Sequence, residues 1–285
     1  AGVKQLVGSL CKRHAVALGV GAEPLRNLSV GVNASYLWGG YTKYVTNTYS
    51  DAYVNTLQRT YTAEVRSYKL DFGLQYTQPL SAKDQVTLGL TYSLGHSLNA
   101  DPELSVIKNN SQLAVADTTR FRISNALDLS HTFGVGAVYS HNGQLMVGAD
   151  YQLQKWGSLD YPQYSDQGGY ALQSGLLKDR HKVVLGADYC RGERHRGFLS
   201  RLHYRAGIGY ATPYFTINGQ DGPKEISASL GLGIPIVNSY NNRSMLNISA
   251  QWVRREASSM LTENTFRINI GFTFNERMFA KFKVE

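Results

Sequence analysis

Apolar and polar residues alternate with a period of two through most of this chain, and that pattern restricts its fold more than any other feature. Over residues 67–77, Tyr68, Leu70, Phe72, Leu74 and Tyr76 fall on one side of an extended strand, and Ser67, Lys69, Asp71, Gly73, Gln75 and Thr77 fall on the other. Successive strand side chains point to opposite faces, so one face of such a segment is apolar and the other wet. The division recurs in Val86, Leu88, Leu90 and Tyr92, in Val30, Val32, Ala34, Tyr36 and Trp38, and in Leu145, Val147, Ala149, Tyr151 and Leu153. Near the end it is carried by Phe266, Ile268, Ile270, Phe272 and Phe274.

A soluble β-sandwich also alternates, but its outer face carries many Lys and Glu. Here the polar face is mostly Gly, Ser, Thr, Asn and Gln, with only 18% charged residues in the whole chain. That suits a crowded, hydrated lumen. No window holds the roughly 18 uninterrupted apolar residues of a membrane-spanning helix, and without such a helix only a closed barrel crosses a bilayer. The sequence therefore reads as all-β, a transmembrane antiparallel up-and-down β-barrel forming one domain over residues 1–285. Leu70, Phe72, Leu88, Leu90, Val147, Tyr151, Ile268, Ile270 and Phe272 are expected to face lipid. Aromatics at the ends of the apolar runs, such as Tyr36 with Trp38, Tyr68 with Tyr76, and Tyr204 with Tyr210, mark interfacial girdles.

Eleven strands are expected, near residues 13–22, 27–40, 64–79, 84–97, 120–140, 144–157, 181–191, 200–211, 225–236, 244–255 and 264–279. Short turns alternate with long polar segments, 41–63, 98–119 and 158–180, which read as surface loops. Asn142-Gly143 is a strong hairpin signal. Eleven is odd, whereas single-chain bacterial barrels have an even count. An odd number of strands is thus expected to precede this sequence, with residues 1–12 the remnant of a surface loop. The start lacks a basic and apolar export signal. Cys11 and Cys190 could bridge in an oxidising compartment or stand as two unrelated thiols.

The formal charge of +8 is scattered rather than gathered into a stripe, so nucleic acid is not the expected partner, and attraction to lipopolysaccharide or an anionic solute is one use for it. The seven histidines show no metal-ligand spacing, no cofactor motif occurs, and no paired catalytic groups emerge, so the chain does not read as an enzyme. Parity directs Lys69, Asp71, Asp150, Lys182, Asp188, Arg201, Arg205 and Arg267 into the lumen. They suit a structural network of mutual pairs, or, in Arg201, Arg205 and Arg267, guanidinium groups for the carboxylate of an amphiphile.

Six stretches resemble the FadL-like long-chain fatty acid transporter family of outer-membrane barrels, in its Bacteroidetes-type branch: Asn27–Gly39, His131–Tyr139, Gly148–Trp156, Tyr204–Gly209, Gly231–Ile236 and Glu263–Arg277. Each is a weak motif, and their order over nearly the whole chain carries the resemblance. It implies fourteen strands, an amino-terminal hatch, and an early kinked strand that opens a side passage. Eleven strands here and three preceding would make that number. The implied function is passive passage of hydrophobic or amphipathic small molecules, such as long-chain fatty acids, through the bacterial outer membrane. The expected partners are outer-membrane lipids, lipopolysaccharide and a hydrophobic ligand. Two alternatives are an accessory or scaffold barrel of an outer-membrane protein complex, type IX secretion-like, and a general porin.

Overall fold

A computed structural model of the chain describes residues 3–49, 55–110, 115–165, 169–192, 195–217, 219–237, 243–257 and 262–273. Eleven wall strands follow one another: β1 (Val3–Leu25), β2 (Leu28–Tyr49), β3 (Thr56–Pro79), β4 (Asp84–Ser93), β5 (Thr132–His141), β6 (Leu145–Gln154), β7 (Arg180–Tyr189), β8 (His203–Ala211), β9 (Lys224–Val237), β10 (Arg243–Glu256) and β11 (Glu263–Thr273). Each pairs antiparallel with its sequence neighbours in a single sheet. Three shorter strands outside that path bring the sheet to 14. Among the described residues β1 pairs only with β2, and β11 only with β10.

The register explains why the alternation survives from strand to strand. Val30 lies opposite Leu74, Leu74 opposite Leu90, Leu90 opposite Val135, Val135 opposite Tyr151, Tyr151 opposite Val183 and Val183 opposite Tyr210. A one-residue slip would turn a whole strand inside out, so every apolar face is locked to the same side. The tight turns help to set this register. Asn142 and Gly143 both have positive φ, 54° and 64°, the conformation a two-residue hairpin turn needs.

The apolar side has no layer packed on it. Phe72 is 41% exposed, Leu90 52% and Ile270 73%, which a sandwich core would not allow. Leu88, Val147, Tyr151, Ile268 and Phe272 are exposed as well, and Leu70 is half-buried. The fully buried side chains Pro102 and Leu104 belong instead to the segment between β4 and β5. On the apolar side, Tyr36, Trp38, Tyr68, Tyr92, Phe133 and Tyr210 form one row of rings, and Tyr76, Tyr139, Tyr189, Tyr204 and Phe272 a second. Tyr68 and Tyr76 are separated by about 26 Å along the strand. At the usual tilt of about 35–45°, that span rises roughly 18–21 Å, close to the roughly 25 Å apolar band of a transmembrane barrel.

The structure corrects several boundaries. Residues 3–12 belong to β1 and are not a loop remnant. The segment 41–63 is largely the continuation of β2 and β3, with 50–54 outside the described residues. In the segment 98–119, the hairpin Glu103–Asn110/Val115–Arg122 adds to the edge of β3, and 111–114 lie outside the described residues. The strand expected over 120–140 is therefore split between this hairpin and β5. Segment 158–180 contains the hairpin Tyr161–Ser165/Gly169–Gln173. Residues 274–279 of the last expected strand lie outside the described residues.

The physical reason is common to these differences. At about 3.3 Å per residue, the 23 residues of β1 and 24 of β3 run for roughly 75–80 Å, whereas a crossing needs only about 9–11 residues. Beyond the bilayer both faces of a strand are wet, so the sheet continues while the alternation stops. Tyr41-Thr-Lys-Tyr-Val-Thr-Asn-Thr-Tyr49 is rich in strand-forming residues but has no apolar face. Cys11 is an exposed free thiol and Cys190 a buried one.

Leu90→Arg would place a guanidinium on the apolar band and is expected to destabilise the inserted barrel by about 2–4 kcal/mol. Thr91→Lys, on the opposite face, is expected to change stability little. Unfolding in urea from lipid vesicles compares them, and equal losses would refute the assignment of faces.

Candidate functional site: the lumen wall and its mouth

The inner face is built from positions with small side chains. One register row reads Gly148, Gly186, Gly207, Ser229, Gln251 and Arg267 across six strands. The glycines thin the wall there: a Cβ on Gly207 would sit 3.0 Å from Ser229 Oγ, and one on Gly209 would sit 2.7 Å from Ser227 Oγ. Among the inward charges, two groups are paired.

In the first, Lys69 Nζ donates to Asp71 Oδ1 at 2.5 Å, and Ser93 Oγ donates to the same oxygen at 2.5 Å. In the second, Asp188 lies directly opposite Arg205 on the neighbouring strand. Arg205 Nε donates to Asp188 Oδ2 at 2.7 Å, and His203 Nδ1 lies 2.9 Å from Asp188 Oδ1. The Arg205 guanidinium also donates through Nη1 to Asn247 Oδ1 at 2.7 Å. Charge-assisted bonds of this kind offset the loss of water from a crowded wall.

The structure thus brings together Lys69 with Asp71 and Asp188 with Arg205. Asp150 stands apart on β6, its Oδ1 beside Gly136, and Lys182 and Arg267 join neither group. Arg201 is placed differently from the parity reading. It lies in a single helical turn, Phe198–Arg201, that leads into β8, with its guanidinium 6.0 Å from the Phe198 ring centre. Strand parity does not apply to a residue in a helical turn. Its carbonyl accepts a hydrogen bond from Cys190 Sγ at 3.5 Å.

The mouth holds a cluster that parity does not reveal. The hairpin Tyr161–Ser165/Gly169–Gln173 leaves the wall between β6 and β7, yet its rings meet β3 and β2, three and four strand positions from β6, or about 14–19 Å along the wall. Tyr161 hydrogen-bonds Tyr41 side chain to side chain. The Arg59 guanidinium lies 4.8 Å from the Tyr164 ring centre, and Phe121 packs on that ring at 5.9 Å. These contacts clasp the hairpin across the end of the lumen from which β2 and β3 project. The signal was present as a concentration of tyrosine in segments 41–63 and 158–180, but it has no fixed spacing.

Burial, followed by the neighbouring phenols, raises the pKa of Tyr41 and Tyr170, the latter to about 12 from an ordinary 10.0. Burial also raises Tyr61. A phenol raised in the folded state contributes stability that is complete below its unfolded value and is lost as pH rises through its folded one. The clasp is therefore expected to hold up to pH 10.0 and to release as pH approaches about 12. A fluorophore placed at Gln163 would report the release, and the Tyr170→Phe variant should shift it towards higher pH. Release at neutral pH, or none before the barrel unfolds, would contradict the assignment.

Among the described residues no group of three His, Cys, Asp or Glu converges as metal ligands. No curated protein matches the chain. Solved structures do. The CymD monoaromatic hydrocarbon channel aligns with a TM-score of 0.68 at 13% identity, covering 98% of this chain and 78% of that one. The Ralstonia pickettii toluene transporter TbuX aligns at 0.63 and 14% identity, covering 94% and 69%. A Pseudomonas aeruginosa FadL homologue aligns at 0.58 and 15%, covering 88% and 61%. At these identities the likeness is one of fold, and at that level the FadL-like resemblance holds. The family model described as BamG matches residues 8–285, nearly the whole sequence, and the chain belongs to the BamG family.

Proposed function

We propose that the chain forms the wall of a bacterial outer-membrane barrel that passes hydrophobic or amphipathic small molecules by diffusion. The observation that carries this reading is the fold shared with a hydrocarbon channel, a toluene transporter and a FadL homologue. The two rows of rings around an unpacked apolar band support insertion in a bilayer. The tyrosine clasp supplies aromatic surface at the mouth, where an amphiphile leaving water would first be held. Arg205 and Arg267 are inner-wall cations for an anionic head group, although Arg205 must then share its bonds with Asp188 and Asn247.

A second reading, an accessory barrel within an outer-membrane protein complex, is favoured by a different observation. β1, β2 and β3 carry about half their length beyond the ring rows as a strand-paired blade, polar on β2 and β3 and bearing exposed Leu6, Val7 and Leu10 on β1. Such a surface suits a protein partner more than a small solute.

Uptake of a labelled fatty acid and of toluene into vesicles separates the readings. A conduit accelerates uptake over protein-free vesicles, and Tyr41→Ala with Tyr164→Ala, which loosen the mouth, should change that rate severalfold. Uptake equal to that of empty vesicles would reject the conduit. Recovery of a stoichiometric outer-membrane partner in gentle detergent, lost when the blade is shortened, would then establish the accessory role. A steady aqueous current through the barrel would instead mark a general porin.

A further inference from the structure

On the outward side, directly beyond the outer row of rings, β1, β2 and β3 enclose a hollow of about 920 Å³. Its floor is a register row in which Lys12 lies opposite Gly40, and Gly40 opposite Glu64. Gly40 brings no side chain, and a Cβ there would stand 2.9 Å from the Ala63 carbonyl oxygen. The gap between Lys12 and Glu64, about 10 Å at the spacing of strands, therefore stays open. The next row towards the membrane is His14, Trp38 and Arg66. There the His14 and Trp38 rings stack at 5.6 Å, and Tyr36 continues the stack at 5.7 Å.

The far rim is formed by Asp101, Glu103 and Arg122. Asp101 is satisfied there, by Arg122 at 2.6 Å and by the Asn125 amide at 2.9 Å. The side chains of Lys12, Arg66, Glu64 and Glu103 have no ion pair or hydrogen bond among the described residues. Two uncommitted cations and two uncommitted carboxylates thus line one hollow at the level of lipid head groups. A bare phosphate would meet Lys12 and Arg66 but be repelled by Glu64 and Glu103. A ligand that carries both phosphate and hydroxyl donors satisfies all four. The volume is near the upper end of sites that enclose drug-sized molecules, well beyond what a phosphate with a small amine fills.

We propose that this hollow binds the phosphorylated sugar head group of a glycolipid in the outer leaflet. The phosphate lies on Lys12 and Arg66, the sugar hydroxyls donate to Glu64 and Glu103, and the acyl chains run down the exposed band at Val16, Leu18 and Val32. The inference rests on the bilayer placement given under the proposed function, but not on what passes through the lumen.

The test uses the full chain in detergent, incubated with lipid A, with dephosphorylated lipid A, or with phosphatidylethanolamine. Lipid retained after detergent exchange is counted by mass spectrometry. The wild type is expected to keep lipid A, and Lys12→Ala/Arg66→Ala to keep at least about tenfold less. Glu64→Ala/Glu103→Ala, which removes the acceptors of the sugar hydroxyls, should lower retention as well. Retention of lipid A by all variants, or equal retention of dephosphorylated lipid A or phosphatidylethanolamine, would overturn the proposal. A heat-dependent shift in gel mobility confirms that each variant is folded. Flotation with vesicles tests bilayer placement, and the uptake rate tests the conduit, so failure of either is distinguishable from failure of the site.

Discussion

The pairing of backbone amides across strands that have hydrocarbon on one side sets the terms for the rest of this structure. Inside a bilayer no water replaces a missing partner, so each N–H and C=O in the band must bond to the neighbouring strand. That fixes the wall as one sheet with sequential antiparallel neighbours. It also fixes register, because a strand slipped by one residue would present Lys69 and Asp71 to lipid and Leu70 and Phe72 to the lumen. The ion pairs of the inner face follow from the same register. Asp188 and Arg205 meet because they are directly opposed, not because a separate fold brings them together.

The sequence was most legible where that constraint acts. Eleven wall strands and their order could be read from Leu88 and Leu90, from Val147 and Ala149, and from Ile268 and Ile270, since each run switches face with every residue. Legibility failed where the constraint ends. Tyr44, Val45 and Thr46 are paired in β2 with Thr60, Arg59 and Gln58 of β3, but water touches both sides and no periodic pattern is required. The hairpin that contains Leu104 hides its small core within a segment that looks polar on average. Arg201 is the instructive single residue: parity carried through from His203 points it inward, and one helical turn ahead of β8 breaks the count.

The candidate site was legible only as a wall. Opposite charges on inward positions could be anticipated, but which of them meet depends on which strands are adjacent and on the exact offset between them. Lys69 and Asp71 are neighbours on one strand and could be paired from sequence. Arg205 with Asn247 could not, because 42 residues separate them and only the β8–β9–β10 order places them near each other. The tyrosine clasp was the least visible, since it joins segments more than a hundred residues apart through rings with no common repeat.

That clasp ties together two parts of the molecule that the sheet alone would leave independent. The hairpin carrying Tyr161 and Tyr164 springs from one side of the cylinder, and the blade formed by β2 and β3 rises from another. The grip is spread along the blade, with Tyr41 near its base and Arg59, opposite Val45, further out. A load on the projecting blade is therefore shared with the hairpin through these ring contacts, and not only with the sheet.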